Sequence, residues 1–96
     1  MTKKELNRFM AKVDVDSETG CWMWKNAKSK DGYGQFKLGG KRQQAHRVSY
    51  THFVGEIPQG KEIDHECVRP GCCNYGHLQP VTHAENIALR VLRAQR

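Results

Sequence analysis

Four cysteines constrain this chain more than any other residue type. Three fall in one short stretch, Cys67-x4-Cys72-Cys73, and the fourth, Cys21, lies far upstream. The chain has 96 residues and 38% hydrophobic content, so burial alone leaves a marginal fold. Domains this small commonly add a metal or disulfides. The opening Met1-Thr2-Lys3-Lys4-Glu5 lacks the apolar segment of a signal peptide, and no apolar run approaches a membrane span. An intracellular, cytoplasmic chain with no membrane partner is therefore expected. Cysteines kept reduced there read as metal ligands before disulfides.

The Cys67-x4-Cys72 spacing lies just past the usual zinc-ligand interval and still fits one Zn²⁺. Cys21 would reach the same ion from an early strand, tying a sheet to the loop. Adjacent Cys72 and Cys73 tend to point apart, which favours His83 as the fourth ligand, with Cys73 as the alternative. A closed tetrahedral site of this kind is structural, because no position is left for water. Buried free thiols, or a small disulfide-bonded secreted protein, are the competing readings of the cysteines alone.

Charge narrows the partner. Sixteen Lys+Arg against 10 Asp+Glu give +6, which favours a polyanion, and nucleic acid is the common one. Thr2-Lys3-Lys4-Glu5 is a capping box, and Leu6, Phe9, Met10 and Val13 follow at helical spacing, predicting a helix from about residue 3 to 13. Cys21 to Trp24 reads as a strand. Tyr33 to Leu38 reads as a second, and Gly39-Gly40 reverses the chain into Lys41 to Ala45. These strands are expected to form one small antiparallel sheet. Trp22 and Trp24 alternate along theirs, with core the default for both.

A helix is expected from Arg47 to its stop at Gly55. Glu62-Ile63-Asp64-His65 then reads as a short strand, residues 66–76 as a loop, and residues 77–81 as the returning strand. Thr82-His83-Ala84-Glu85 is a second capping box. It opens a helix with Ala84, Ile87, Ala88, Val91 and Leu92 on one stripe. Asn86 falls nearly opposite that stripe, with Arg90 and Arg93 on its side.

Asp64-His65 carries the chemistry. A carboxylate can hold a cation while a neutral imidazole takes a proton near pH 7. Neighbours on a strand point to opposite faces, so the two would serve different sides of one reaction centre. Taken alone, such a pair is more often a surface strand end.

The wider pattern changes those odds. Asp64-His65, His77-Leu78 and Val81-Thr82-x-x-Glu85-Asn86 resemble the HNH nucleases, also called His-Me finger or ββα-metal nucleases. So do Gly20-Cys21-Trp22-x-Trp24, Gly32-Tyr33-Gly34, Ala45-His46-Arg47-x-x-Tyr50 and Ile57-Pro58-x-Gly60 upstream. The stretch Cys67-x4-Cys72-Cys73-Asn74-x-x-His77-Leu78 completes a likeness to small phage-type members.

The resemblance implies an α+β fold: an N-terminal helix and small antiparallel sheet, plus a zinc-stabilised ββα-metal unit. One domain over 1–96 would divide into 1–45 (helix and hairpins), 46–60 (helix and turn) and 61–96 (the active-site unit). By the same likeness Asp64 and Asn86 hold Mg²⁺ or another divalent cation, and His65 is the general base. His77 stands where the family's middle residue is usually Asn, and its expected role is positioning; Asn74 is the other candidate there. His46 and Arg47 belong to the matching pattern. Arg47, Arg90 and Arg93 are the expected contacts to nucleic acid, and His52 is expected at the surface.

The implied activity is hydrolysis of DNA phosphodiester bonds to 5′-phosphate and 3′-hydroxyl ends. A monomer would nick one strand, and a homodimer could cut both. If phage-encoded, the protein would act in the host cytoplasm. The rival reading, a non-catalytic zinc-bearing nucleic-acid-binding module, explains the charge and the cysteines but not Asp64-His65 with Asn86.

Overall fold

In the computed structural model, which describes residues 1–95, the first helix starts where its cap dictates. Thr2 accepts from the Glu5 amide, and the Glu5 carboxylate accepts from the Thr2 amide in return. Helix α1 spans Lys3–Met10 and not residues 3–13. Val13 has the helical spacing but turns out of the helix into strand β1, Val13–Val15, which pairs antiparallel with β2, Trp22–Trp24. The same buried stripe is thus shared by a helix and a strand, and apolar spacing cannot register that change of period.

Strands β3 (Gln35–Leu38) and β4 (Lys41–Gln44) form the hairpin expected from Gly39-Gly40, whose φ values of 60° and 76° suit glycine. Helix α2, Ala45–Phe53, follows at once, and β5 (Glu62–His65) pairs antiparallel with β6 (Leu78–Val81). A 3-10 turn at Tyr75–His77 precedes β6, and α3 runs over His83–Ala94. In place of one sheet for the strands before α2, the described residues form two separate ladders, β1-β2 and β3-β4, beside the expected β5-β6 pair.

Phe9, Trp24 and Phe36 make the centre of the core, with ring centroids 5.0 to 5.7 Å apart and edge-on or tilted faces. Val13, Ala45, Val48 and Cys73 complete it. Gly34 lies under the Trp24 ring, where a Cβ would come within 2.6 Å of Cγ, so no other residue fits without displacing the indole. Trp22 packs at the edge of this core and joins a second aromatic group with Phe53 and Tyr75, clamping the end of α2 to the 3-10 turn. His52 receives the N-terminal amino group at 3.2 Å from Nδ1. Among the described residues, no helix is long and apolar enough to cross a membrane.

Candidate active site and metal cluster

The loop between β5 and β6 is sewn onto β2 by its backbone. Trp24 N–H donates to the Gly71 carbonyl at 2.9 Å, and Cys73 N–H donates to the Trp22 carbonyl at 2.8 Å. Asn74 adds a side-chain bond, donating from Nδ2 to the Gly20 carbonyl at 2.6 Å while Oδ1 accepts from the Gly76 amide. These ties bring Cys21, next to Gly20, against the loop.

There Cys21, Cys67, Cys72 and His77 place four ligand atoms within 4.8 Å of one another. Nδ1 of His77 lies 3.6 Å from both Cys21 Sγ and Cys72 Sγ. Three thiols and one imidazole at this spacing suit a tetrahedral metal site without an open position.

The fourth member of this group is His77, where His83 or Cys73 was expected. His83 is not part of this group: it is largely exposed and bonds Glu62 through Nδ1 at 2.9 Å. Cys73 also turns away, donating to the Trp22 carbonyl at 3.3 Å. Burial pushes its thiol up to about 12, but it does the same to Cys72, so the direction of the side chain, not its pKa, sets the two apart. The interval Cys67-x4-Cys72-x4-His77 repeats, and that repeat is the sequence signal for His77. The loop also holds Val68 at φ 60°, a conformation costly for a β-branched side chain.

The imidazole of His77 is thus turned to the thiols, not to His65. His65 is positioned by backbone instead: its Nε2 donates to the Cys72 carbonyl at 2.9 Å. Because a carbonyl only accepts, the ring proton sits on Nε2 and leaves Nδ1 as the acceptor. Burial lowers the His65 pKa, against the opposing effects of that hydrogen bond and of Asp64, so the ring stays neutral near pH 7. His46 packs on it with centroids 4.6 Å apart, and Tyr33 lies against both rings. His46 is itself buried with no partner on Nδ1 among the described residues, and desolvation brings its pKa down to about 3.

A cleft of about 270 Å³ opens between β5 and α3. Asp64, His65, Asn86, Arg90 and Arg93 line it, together with Tyr33. The two elements supply these residues for simple reasons: Asp64 and His65 end β5, and the Thr82 capping box fixes where α3 begins, so Asn86 falls in its first turn. Arg47 does not join them; it lines a separate groove with Met1, Val48 and Glu56.

Asp64, only 4% exposed, accepts from Arg93 through both oxygens, at 2.7 and 2.9 Å, and from Gln79 at 2.9 Å. Arg93 first, then Gln79, holds its carboxyl below the usual range despite burial. Asn86 donates from Nδ2 to Glu62 Oε1 at 2.8 Å. Asp64 and Asn86 carry the hard oxygen donors that a Mg²⁺-like ion takes, so the residues fit such an ion once Arg93 releases the carboxylate.

Known proteins resemble this chain in sequence and in fold. A family model described as HNH endonuclease matches residues 43–88, from β4 into α3. The chain is 37% identical over 76 residues to the uncharacterized gene 5.3 protein of Enterobacteria phage T3, covering 72% of this chain and 75% of that one. It is 36% identical over 81 residues to Protein 2.8 of Escherichia phage T7, covering 82% and 54% respectively. The solved structure of the HNH homing endonuclease I-HmuI, described for its DNA binding and cleavage, superposes with a TM-score of 0.60 at 24% identity. That match covers 91% of this chain and 52% of the other. The chain thus spans about half the length of Protein 2.8 and of I-HmuI. With the matched segment carrying β5, the cysteine loop and Asn86, this chain belongs to the HNH endonuclease family.

Proposed function

We propose that the protein is a divalent-cation-dependent DNA endonuclease working through His65. The observation that carries this reading is the convergence of His65, Asp64, Asn86, Arg90 and Arg93 on one cleft. His65 Nδ1 takes the proton of the attacking water, and the Cys72 carbonyl, by holding Nε2–H, keeps that nitrogen available. Asp64 and Asn86 would hold a divalent cation, which would supply electrostatic stabilisation for charge growing on the phosphate and the departing 3′-oxygen. Arg93 leaves Asp64 for the phosphate as the site loads, and Arg90 stands one turn earlier on the same side of α3. The products are a 5′-phosphate and a 3′-hydroxyl.

Cys21, Cys67, Cys72 and His77 hold a structural Zn²⁺ that fixes the loop bearing the Cys72 carbonyl. A monomer nicks one strand, and a homodimer or two successive events would sever both. The setting is the cytoplasm of an infected host, with residues 1–60 as the platform for the unit at 61–96.

Supercoiled plasmid tests the activity. Wild-type protein should nick it with Mg²⁺ and not with EDTA, and His65→Ala should slow nicking by roughly 10²–10⁴-fold. The acid limb of the rate should lie below 6.5, the ordinary imidazole value, because burial keeps His65 deprotonated to lower pH. Plasmid left intact across several divalent ions would sink the reading. Metal analysis should find zinc lost in His77→Ala and kept in His83→Ala. One observation favours a second reading: Asp64, already neutralised by Arg93, is what a DNA-binding module without cleavage would keep. Tight plasmid binding with no nicking would select it.

A further inference from the structure

Glu62 has no part in the chemistry above, yet it reaches two residues of α3. It opens β5 two positions before Asp64, and strand alternation puts the two side chains on one face. Its Oε1 accepts from Asn86 Nδ2 at 2.8 Å and its Oε2 from His83 Nδ1 at 2.9 Å. The amide of Asn86 is two-faced: the NH₂ donates and cannot ligate a cation, while Oδ1 has the lone pairs that can. An ionised carboxylate only accepts, so it meets the NH₂ and turns Oδ1 away from itself. No other described residue donates to Oδ1.

We propose that Glu62 is a positioning residue that selects the face of the Asn86 amide presented to the cation cleft, a role that rests on Asn86 being a cation ligand. The device is the one that metal-binding histidines use, in which an outer hydrogen bond fixes which atom faces the ion. Without Glu62 the amide rotates, and half of its orientations offer the ion an NH₂.

Mn²⁺ binding by calorimetry, on zinc-loaded protein without DNA, tests this. Glu62→Met keeps the side chain's length and removes the acceptor, so the Mn²⁺ Kd should rise by about 10-fold or more. Glu62→Gln keeps an oxygen for Asn86 Nδ2 while losing the same charge, and should bind close to wild type. Equal weakening in Glu62→Met and Glu62→Gln would overturn the proposal, since the effect would then follow charge. Adding Glu62→Met to Asn86→Ala should cost no further affinity; an additive loss would also overturn it. If Asn86→Ala alone binds Mn²⁺ as wild type does, the cation-ligand reading itself fails. If Asn86→Ala weakens binding and Glu62→Met does not, only the role of Glu62 fails. Matching thermal unfolding of Glu62→Gln and wild type shows that the fold is intact.

Discussion

Helices α1 and α3 begin with the same device and end in opposite situations. Both open on a Thr-x-x-Glu capping box with both reciprocal bonds formed, and both carry an apolar stripe. Helix α1 drives Phe9 to 0% exposure between Trp24 and Phe36. Helix α3 buries no residue, and Ile87, Val91 and Leu92 stay 47%, 52% and 59% exposed. What joins α3 to β5 is polar: Arg93 on Asp64, with Asn86 and His83 on Glu62. One helix is held by packing and the other by the side chains expected to do chemistry. Capping and amphipathicity therefore specify that a helix forms, not what it rests on.

The largest effect should come from breaking the packed side. Phe9→Ala removes the centre of the aromatic cluster and should cost roughly 3–5 kcal/mol of global stability. Chemical denaturation would measure it as a lower midpoint with little change in slope. An unchanged midpoint would mean that the core does not depend on α1.

The polar side should respond less, and in a cation-dependent way. In Arg93→Ala, Asp64 keeps only Gln79 as hydrogen-bond partner among the described residues, and losing the charged hydrogen bonds should cost about 2 kcal/mol without divalent ions. The same change removes the guanidinium that competes with a cation, so Mg²⁺ should restore more stability to the variant than it adds to wild type. Faster hydrogen exchange confined to residues 89–95 would place the loss in the last turns of α3. Equal stabilisation by Mg²⁺ in both proteins would break the idea that Arg93 and the cation share Asp64.

The same contrast explains what could be read from the residues alone. The capping boxes, the β3-β4 hairpin, strand β5 and the Asn86 side of α3 all follow from short-range rules, and each formed as those rules require. His65, Asp64 and Asn86 come to one cleft because the strand end and the helix start are both locally specified. Long-range partners were not legible. Nothing local says that Val13 leaves its helix to pair with Trp24, or that β2 joins β1 and not the hairpin. His77 was hidden because it reads as the start of the returning strand, whereas it closes a 3-10 turn that sets its ring against Cys21 and Cys72. Glu62 could have been found from its alternation with Asp64, whereas the stacking of His46 on His65 needed the fold.

The smallest effect should come from the exposed stripe of α3, and it sharpens the contrast most. If α3 is held only by its polar ties, then Ile87→Ser and Val91→Ser meet solvent before and after the change. Each should then shift stability by no more than about 0.5 kcal/mol, the range of ordinary surface substitutions. The corresponding replacement on α1, Phe9→Ser, should unfold the chain, because it buries a hydroxyl without a partner and leaves a cavity as well. Thermal unfolding of the isolated variants reads both. A loss at Ile87 or Val91 comparable to that at Phe9 would mean that the stripe is covered in solution, and that α3 rests on packing after all.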